Sequence, residues 1–149
     1  MKMKKLLTLI LVLTMLVSSL HITAGAEDGA SNEIQPRLSN IYVYEVDFDI
    51  SSTGFASVYF DYFGDSDVFE SATVEIYLEK RFLGIFWNRV DIGETDDVWV
   101  DNFYETDGYV EHTLQLSKTG TYRAKFKMTF RGTGTEDDVL EKTVQATYG

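Results

Sequence analysis

The sequence predicts an all-β protein, an antiparallel sandwich of seven to eight strands. Three observations lead there. Beyond residue 40, apolar and polar residues alternate with period two over most of the chain. Clusters of Gly, Ser and Asp interrupt that alternation at short intervals, as turns between strands do. After the N-terminal segment, no run of ten or more residues carries helical period.

The chain opens with Lys2, Lys4 and Lys5, followed by an uncharged run of mostly Leu, Val, Ile and Met from Leu6 to Leu20. Small residues at Ala24 and Ala26 then sit where a signal peptidase reads. The expected organisation is a signal peptide over 1–26, a flexible polar lead-in over 27–39 holding the only proline, Pro36, and one sandwich domain over 40–149. A spanning helix needs about 20 apolar residues. The first run is shorter, and no second one follows, so the mature chain is expected to be secreted with no membrane span.

The strands read in order. Tyr42, Tyr44, Val46, Phe48 and Ile50 fall on one face, against Glu45, Asp47 and Asp49 on the other. Ser51 to Gly54 make a turn, with Gly54 free to take positive φ. Ala56, Val58, Phe60 and Tyr62 face inward on the return. Val74, Ile76 and Leu78 do so on a third strand. Gly84 turns into a fourth, where Phe86, Asn88 and Val90 oppose Trp87, Arg89 and Asp91. Within the acidic stretch 93–108, Val98 to Val100 suggest one short strand. Val110, Leu114 and Leu116 face in on the next, with His112 at the same parity. Tyr122, Ala124, Phe126, Met128 and Phe130 alternate with Arg123, Lys125, Lys127 and Arg131, and Leu140, Val144, Ala146 and Tyr148 share a face on the last strand.

Tyr122 opens a strong strand just after Leu116 and a Gly-containing turn. That spacing is similar to the tyrosine corner of immunoglobulin- and fibronectin-III-like sandwiches, and it is equally what a simple strand-opening Tyr would show. Taken in order, Ile50 to Ala56, Ile76 to Lys80, Trp87 with Val90, and Gly120 to Lys125 resemble a group of small secreted proteins of Gram-positive, clostridia-like bacteria. Those are single β-sandwiches behind a signal peptide and are functionally uncharacterised, so the resemblance implies a fold and an address but assigns no residue a role. Residues 81–86, Arg-Phe-Leu-Gly-Ile-Phe, depart from that group in being apolar where small polar residues are expected.

The chain has no cysteine, so no disulfide supports it, which fits export from a Gram-positive cell. Removing residues 1–26 takes away three Lys and no acid, leaving ten cations against 24 carboxylates. Nucleic acid and anionic membrane are poor partners for such a surface. Protein and cell-wall glycan stay open, and the charge also serves solubility.

Catalytic chemistry has few candidates. One His, His112, remains after the leader, no Gly-x-Ser-x-Gly turn accompanies it, and carboxylates are too numerous for any pair to be informative. The expectation is no enzyme and no cofactor, with calcium as an alternative. Three acid groups offer oxygen ligands: Asp61, Asp65, Asp67 and Glu70; Glu94, Asp96, Asp97 and Asp101; Glu136, Asp137 and Asp138. Loops at one end of a sandwich converge, so two groups can share an ion; solvated loops are the plainer reading. Zinc is disfavoured by the ligand types.

The remaining feature is the hairpin 81–89, where Phe82, Leu83, Ile85, Phe86 and Trp87 crowd around one Gly. Pairing buries only alternate residues, so two or three should be exposed, either closing the end of the sandwich or presenting a contact surface to which Trp99, Tyr104 and Tyr109 can add. The sequence thus points to a secreted, non-catalytic binding module, the alternative being a calcium-stabilised structural module of the cell envelope.

Overall fold

The computed structural model describes residues 38–149; the segment expected to be a signal peptide and the expected lead-in before Leu38 lie outside them. Eight strands follow: β1 Ile41–Ile50, β2 Phe55–Gly64, β3 Phe69–Phe82, β4 Phe86–Arg89, β5 Trp99–Phe103, β6 Asp107–Gln115, β7 Gly120–Gly132 and β8 Asp138–Tyr148. A single 3₁₀ turn at Thr95–Asp97 is the only helical element among the described residues. Every pairing is antiparallel.

One sheet has the order β1-β2-β6, the other β4-β3-β7-β8. β5 pairs with β3 on the same edge as β4, further along the strand: β4 takes Glu79 to Phe82, β5 takes Ala72 to Ile76. The chain thus changes sheet after β2, after β5 and after β6, which is the Greek-key arrangement of immunoglobulin-like sandwiches.

The core lies between the sheets and is supplied by the alternation. Ala56, Val58, Phe60 and Tyr62 of β2 meet Ala72, Val74, Ile76 and Leu78 of β3 and Tyr122 to Phe130 of β7, all buried. β3 and β7 are central in the larger sheet and supply its longest buried rows. At one end, Phe60, Tyr62, Phe69, Phe103 and Phe130 form an aromatic cluster with centroids 5.4–6.3 Å apart.

The other end carries the tyrosine corner. The buried Tyr122 hydroxyl donates to the backbone carbonyl of Lys118, four residues upstream, so the resemblance is a hydrogen bond and Tyr122 is more than a strand opener. Burial raises the pKa of this phenol. Tyr122→Phe is expected to cost about 1 kcal/mol in urea unfolding, the value of one net hydrogen bond. An unchanged midpoint would show that the loop does not need it.

β1 departs from the predicted phase. Phe48 and Ile50 are buried as expected, but Tyr42 is exposed and Ile41 is buried in its place. The pairing with β2 is irregular between Ile41 and Val43, where an extra residue shifts the side-chain parity. Tyr42 then stacks on Phe63 outside the core, at 6.0 Å.

The folded domain also starts before residue 40. Leu38 packs against the core, and the amides of Ser39 and Asn40 donate to the Asp138 carboxylate at 2.8 and 2.7 Å. Asn40 is fully buried. Its Nδ2 donates to the carbonyls of Phe130 (3.0 Å) and Glu136 (2.8 Å), and its Oδ1 accepts from the Thr135 hydroxyl. A buried amide with every group engaged fixes where β1 enters.

Candidate functional site

The β3–β4 hairpin runs past the end of the sheet. β7 pairs with β3 only as far as Lys80, so Arg81 and Phe82 continue with β4 as their one neighbour. At the tip, Leu83 and Gly84 both take left-handed backbone, φ 51° and 75°, and the Ile85 amide donates to the Phe82 carbonyl at 3.2 Å. Arg81 Nε braces the turn on the Gly84 carbonyl at 2.6 Å. Such paired positive φ values suit Asn-Gly or Gly-Gly. A leucine there carries a steric cost of roughly 1–2 kcal/mol.

The side chains point into solvent. Phe82, Leu83, Ile85 and Phe86 are 53%, 75%, 71% and 57% exposed. Four exposed apolar residues exceed the two or three that strand alternation predicts, because no second layer reaches this height. The tip therefore does not close the end of the sandwich. Trp87 sits lower, half-buried between two guanidiniums, with Arg123 at 4.1 Å and Arg81 at 5.9 Å from its ring.

The other proposed contact residues do not join this surface. Trp99 is 8% exposed and is a core residue. It stacks face to face on His112, with centroids 4.8 Å apart and planes 3° from parallel. β5 belongs to the larger sheet and β6 edges the smaller one, so this stack seals the open flank between them. Tyr104 is exposed, but it follows Phe103, which pairs with Ala72; ten residues of β3, roughly 30 Å, separate that level from Phe82. Tyr109 is exposed on β6, in the smaller sheet.

His112 is a packing residue. Its Nε2 lies 2.7 Å from Asp101 Oδ2 and its ring face is covered by Trp99.

The acids proposed for calcium are dispersed, and among the described residues no three of them come together to hold a metal. Many of these carboxylates serve turns, bridges and caps instead. Asp61 accepts from the Tyr59 hydroxyl at 2.9 Å, which raises that tyrosine's pKa. Asp65 accepts from the Asp67 amide at 3.0 Å, and its hydrogen bond with Tyr42 raises that phenol's pKa. Glu70 takes the Thr133 hydroxyl at 2.6 Å. Asp97 takes the Ile92 amide at 3.3 Å, and both Asp96 and Asp97 hold left-handed backbone that Asp tolerates. Asp101 is engaged by His112, Asp137 lies 3.6 Å from Arg131, and Asp138 caps the chain entry. Glu94 and Asp96 belong to no metal-holding group among the described residues, and Glu136 contributes its backbone carbonyl to Asn40.

Sequence reasoning missed Asn40, which looks like one more polar loop residue, and the clustering of cations beside the tip. The second had a signal: β1, β2 and β6 hold no Lys or Arg, so the positive charge of the sandwich has to gather elsewhere.

No helix among the described residues is long and apolar enough to cross a membrane. No family model matches the chain, and no curated protein matches it in sequence.

Proposed function

We propose that this is a non-catalytic binding module exported from a Gram-positive cell, and that it engages its partner through the β3–β4 tip. The observation that carries this reading is Leu83. A bulky apolar residue occupies a left-handed position that Asn or Gly would fill at lower cost, and it is 75% exposed, so neither local geometry nor core packing accounts for it. Strain of this kind is retained where the side chain has work outside the fold. Phe82, Ile85 and Phe86 extend the same apolar patch.

The character of the patch favours a protein partner over a cell-wall glycan. Sugar rings stack on flat, open aromatic faces. Trp99 is buried and Trp87 is covered by arginines, which leaves a tip of aliphatic and Phe side chains suited to an apolar cleft.

Leu83→Asn separates function from stability. The variant is expected to gain about 1 kcal/mol in urea unfolding, because Asn visits left-handed backbone readily. Binding to intact cells of the producing strain should fall at least tenfold, as measured with fluorescently labelled protein. Cells shaved with protease should lose wild-type binding, whereas a glycan partner would survive shaving. Equal cell binding by wild type and variant would refute the tip as the contact.

A further inference from the structure

The two outer faces of the sandwich carry opposite charge. On the smaller sheet, register and alternation turn six carboxylates outward: Glu45, Asp47, Asp49, Asp61, Asp107 and Glu111. β1, β2 and β6 hold no Lys or Arg to offset them. Glu45 stands directly opposite Asp61, a like-charge pair that weakens a sheet left on its own. Exposed Phe55, Phe63 and Tyr109 share this face, so it is apolar and aromatic between the charges.

The larger sheet is the reverse. Arg81, Arg89, Arg123, Lys125, Lys127 and Arg131 alternate with the buried row of Leu78, Ala124, Phe126 and Met128, so all six face outward. Three carboxylates of the same strands stand on this face, Glu75, Glu79 and Glu141, which leaves it net positive in a chain of net charge −11. Glu79 is taken by Arg123 at 2.5 Å and Glu75 by Lys127 at 3.3 Å. Arg81, Arg89 and Lys125 form no ion pair among the described residues and rest on rings instead. Arg89 and Lys125 lie 3.6 and 5.5 Å from Tyr77, and Arg81 lies 5.9 Å from Trp87. Ring contact engages the face of a guanidinium and leaves its edge N–H donors for another acceptor.

We propose that copies of this chain pair face to back, the acidic outer face of one copy's β1-β2-β6 sheet seated on the cationic outer face of another copy's β4-β3-β7-β8 sheet. The charge complementarity of the two faces argues for a second copy as the occupant. Arginines of one copy meet carboxylates and exposed rings of the other, the pairings that complementary interfaces use. The faces lie on opposite layers, so each contact leaves one of them free and the pairing extends as an open row. Strands of 10, 10 and 9 residues make the acidic face. At about 3.4 Å per residue and about 4.8 Å between strands, it covers roughly 450 Å². Two such faces bury about 900 Å², which places the contact among weak, reversible ones. The net negative charge opposes approach of copies at long range, but at physiological salt it is screened beyond about 8 Å, and close face contact is screened less.

The test is sedimentation equilibrium of the purified exported protein in about 0.15 M and about 1 M sodium chloride, between which the screening length falls from about 8 Å to about 3 Å. At the lower salt the weight-average mass is expected to rise roughly twofold between about 0.01 and 1 mM protein, as a contact of this size predicts. At the higher salt the rise should disappear. Two double variants then separate the faces. Glu45→Lys with Asp49→Lys reverses charge on the acidic face, and Arg89→Glu with Lys125→Glu does so on the cationic one. Each should stay monomeric alone. An equimolar mixture of the two should associate again, because one keeps the native cationic face and the other the native acidic face. Leu83→Asn should associate as the wild type does, which keeps this contact distinct from the tip. A wild type that stays monomeric at both salts overturns pairing between copies and leaves each face to a different protein. Equal association at both salts overturns it without recourse to any variant. Association that survives either charge reversal, or a mixture of folded variants that stays monomeric, overturns the face-to-back geometry.

Discussion

Asn40→Ala is expected to destabilise the sandwich by about 3 kcal/mol in urea unfolding. The reason is what the substitution leaves behind. The carbonyls of Phe130 and Glu136 lose their donor, and the Thr135 hydroxyl loses its acceptor, at a site with no exposed surface on Asn40. Each stranded buried group costs about 1–3 kcal/mol. Asn40→Asp should cost at least as much at neutral pH, since it sets a buried carboxylate against two carbonyl oxygens. Gly132→Ala approaches the same knot from outside: a Cβ there would overlap Asn40 Oδ1 and lie 2.7 Å from Thr135 Oγ1. All three variants should lower the urea midpoint. If Asn40→Ala loses less than about 1 kcal/mol, water replaces the amide and the entry of β1 is held by Asp138 alone.

Trp99→Ala is expected to cost about 4 kcal/mol and to lower the melting temperature by roughly 15 °C. Removing the indole opens a cavity on the flank between β5 and β6 and uncovers the His112 ring, which also loosens its 2.7 Å contact with Asp101. Trp99→Phe should retain much of the stack and cost clearly less. A ligand-contact tryptophan would behave oppositely, with little change in melting and a loss of binding. Phe86→Ser at the tip serves as the matched control. It should leave the melt within about 0.5 kcal/mol, as surface substitutions do. A melt for Trp99→Ala that matches Phe86→Ser would show that the flank is not sealed by this stack.

Most of the sandwich was readable because its central strands are covered on one face and wet on the other. β2, β3 and β7 show unbroken alternation, and their buried rows are the predicted ones from Ala56 to Tyr62, Val74 to Leu78 and Tyr122 to Phe130. Edge and end positions were harder. β1 alternates as cleanly on paper, yet the irregularity at Ile41–Val43 moves Tyr42 out and Ile41 in. A bulge is a matter of pairing with β2 and leaves no mark in the pattern of one strand. Trp99 and Phe86 are both aromatic residues in short strands, and the sequence does not distinguish them. One is covered because β6 stands opposite, and the other is bare because β3 outruns β7.

The candidate surfaces divide along the same line. The apolar character of 82–87 and its oddity at a glycine turn are facts of composition, and they pointed to the tip directly. That Leu83 is held at positive φ, and that Trp87 is shared between Arg81 and Arg123, required backbone and neighbours in place. The acid groups looked alike as candidate ligands. Only in the folded chain does Asp138 bind the entering amides, Asp101 reach His112 and Asp97 serve a turn.

By itself the sequence determined the class of the fold, most of the rows that face the core and the exceptional hairpin. All of these depend on residue type and on spacing along one strand. Tertiary structure decided which aromatic residues are core and which carboxylates are already engaged. Those outcomes depend on which strands lie opposite one another and how far each extends. Crossovers between two sheets bring residues such as Lys80 and Lys118 together across 38 positions of sequence, a distance over which local periodicity carries no information.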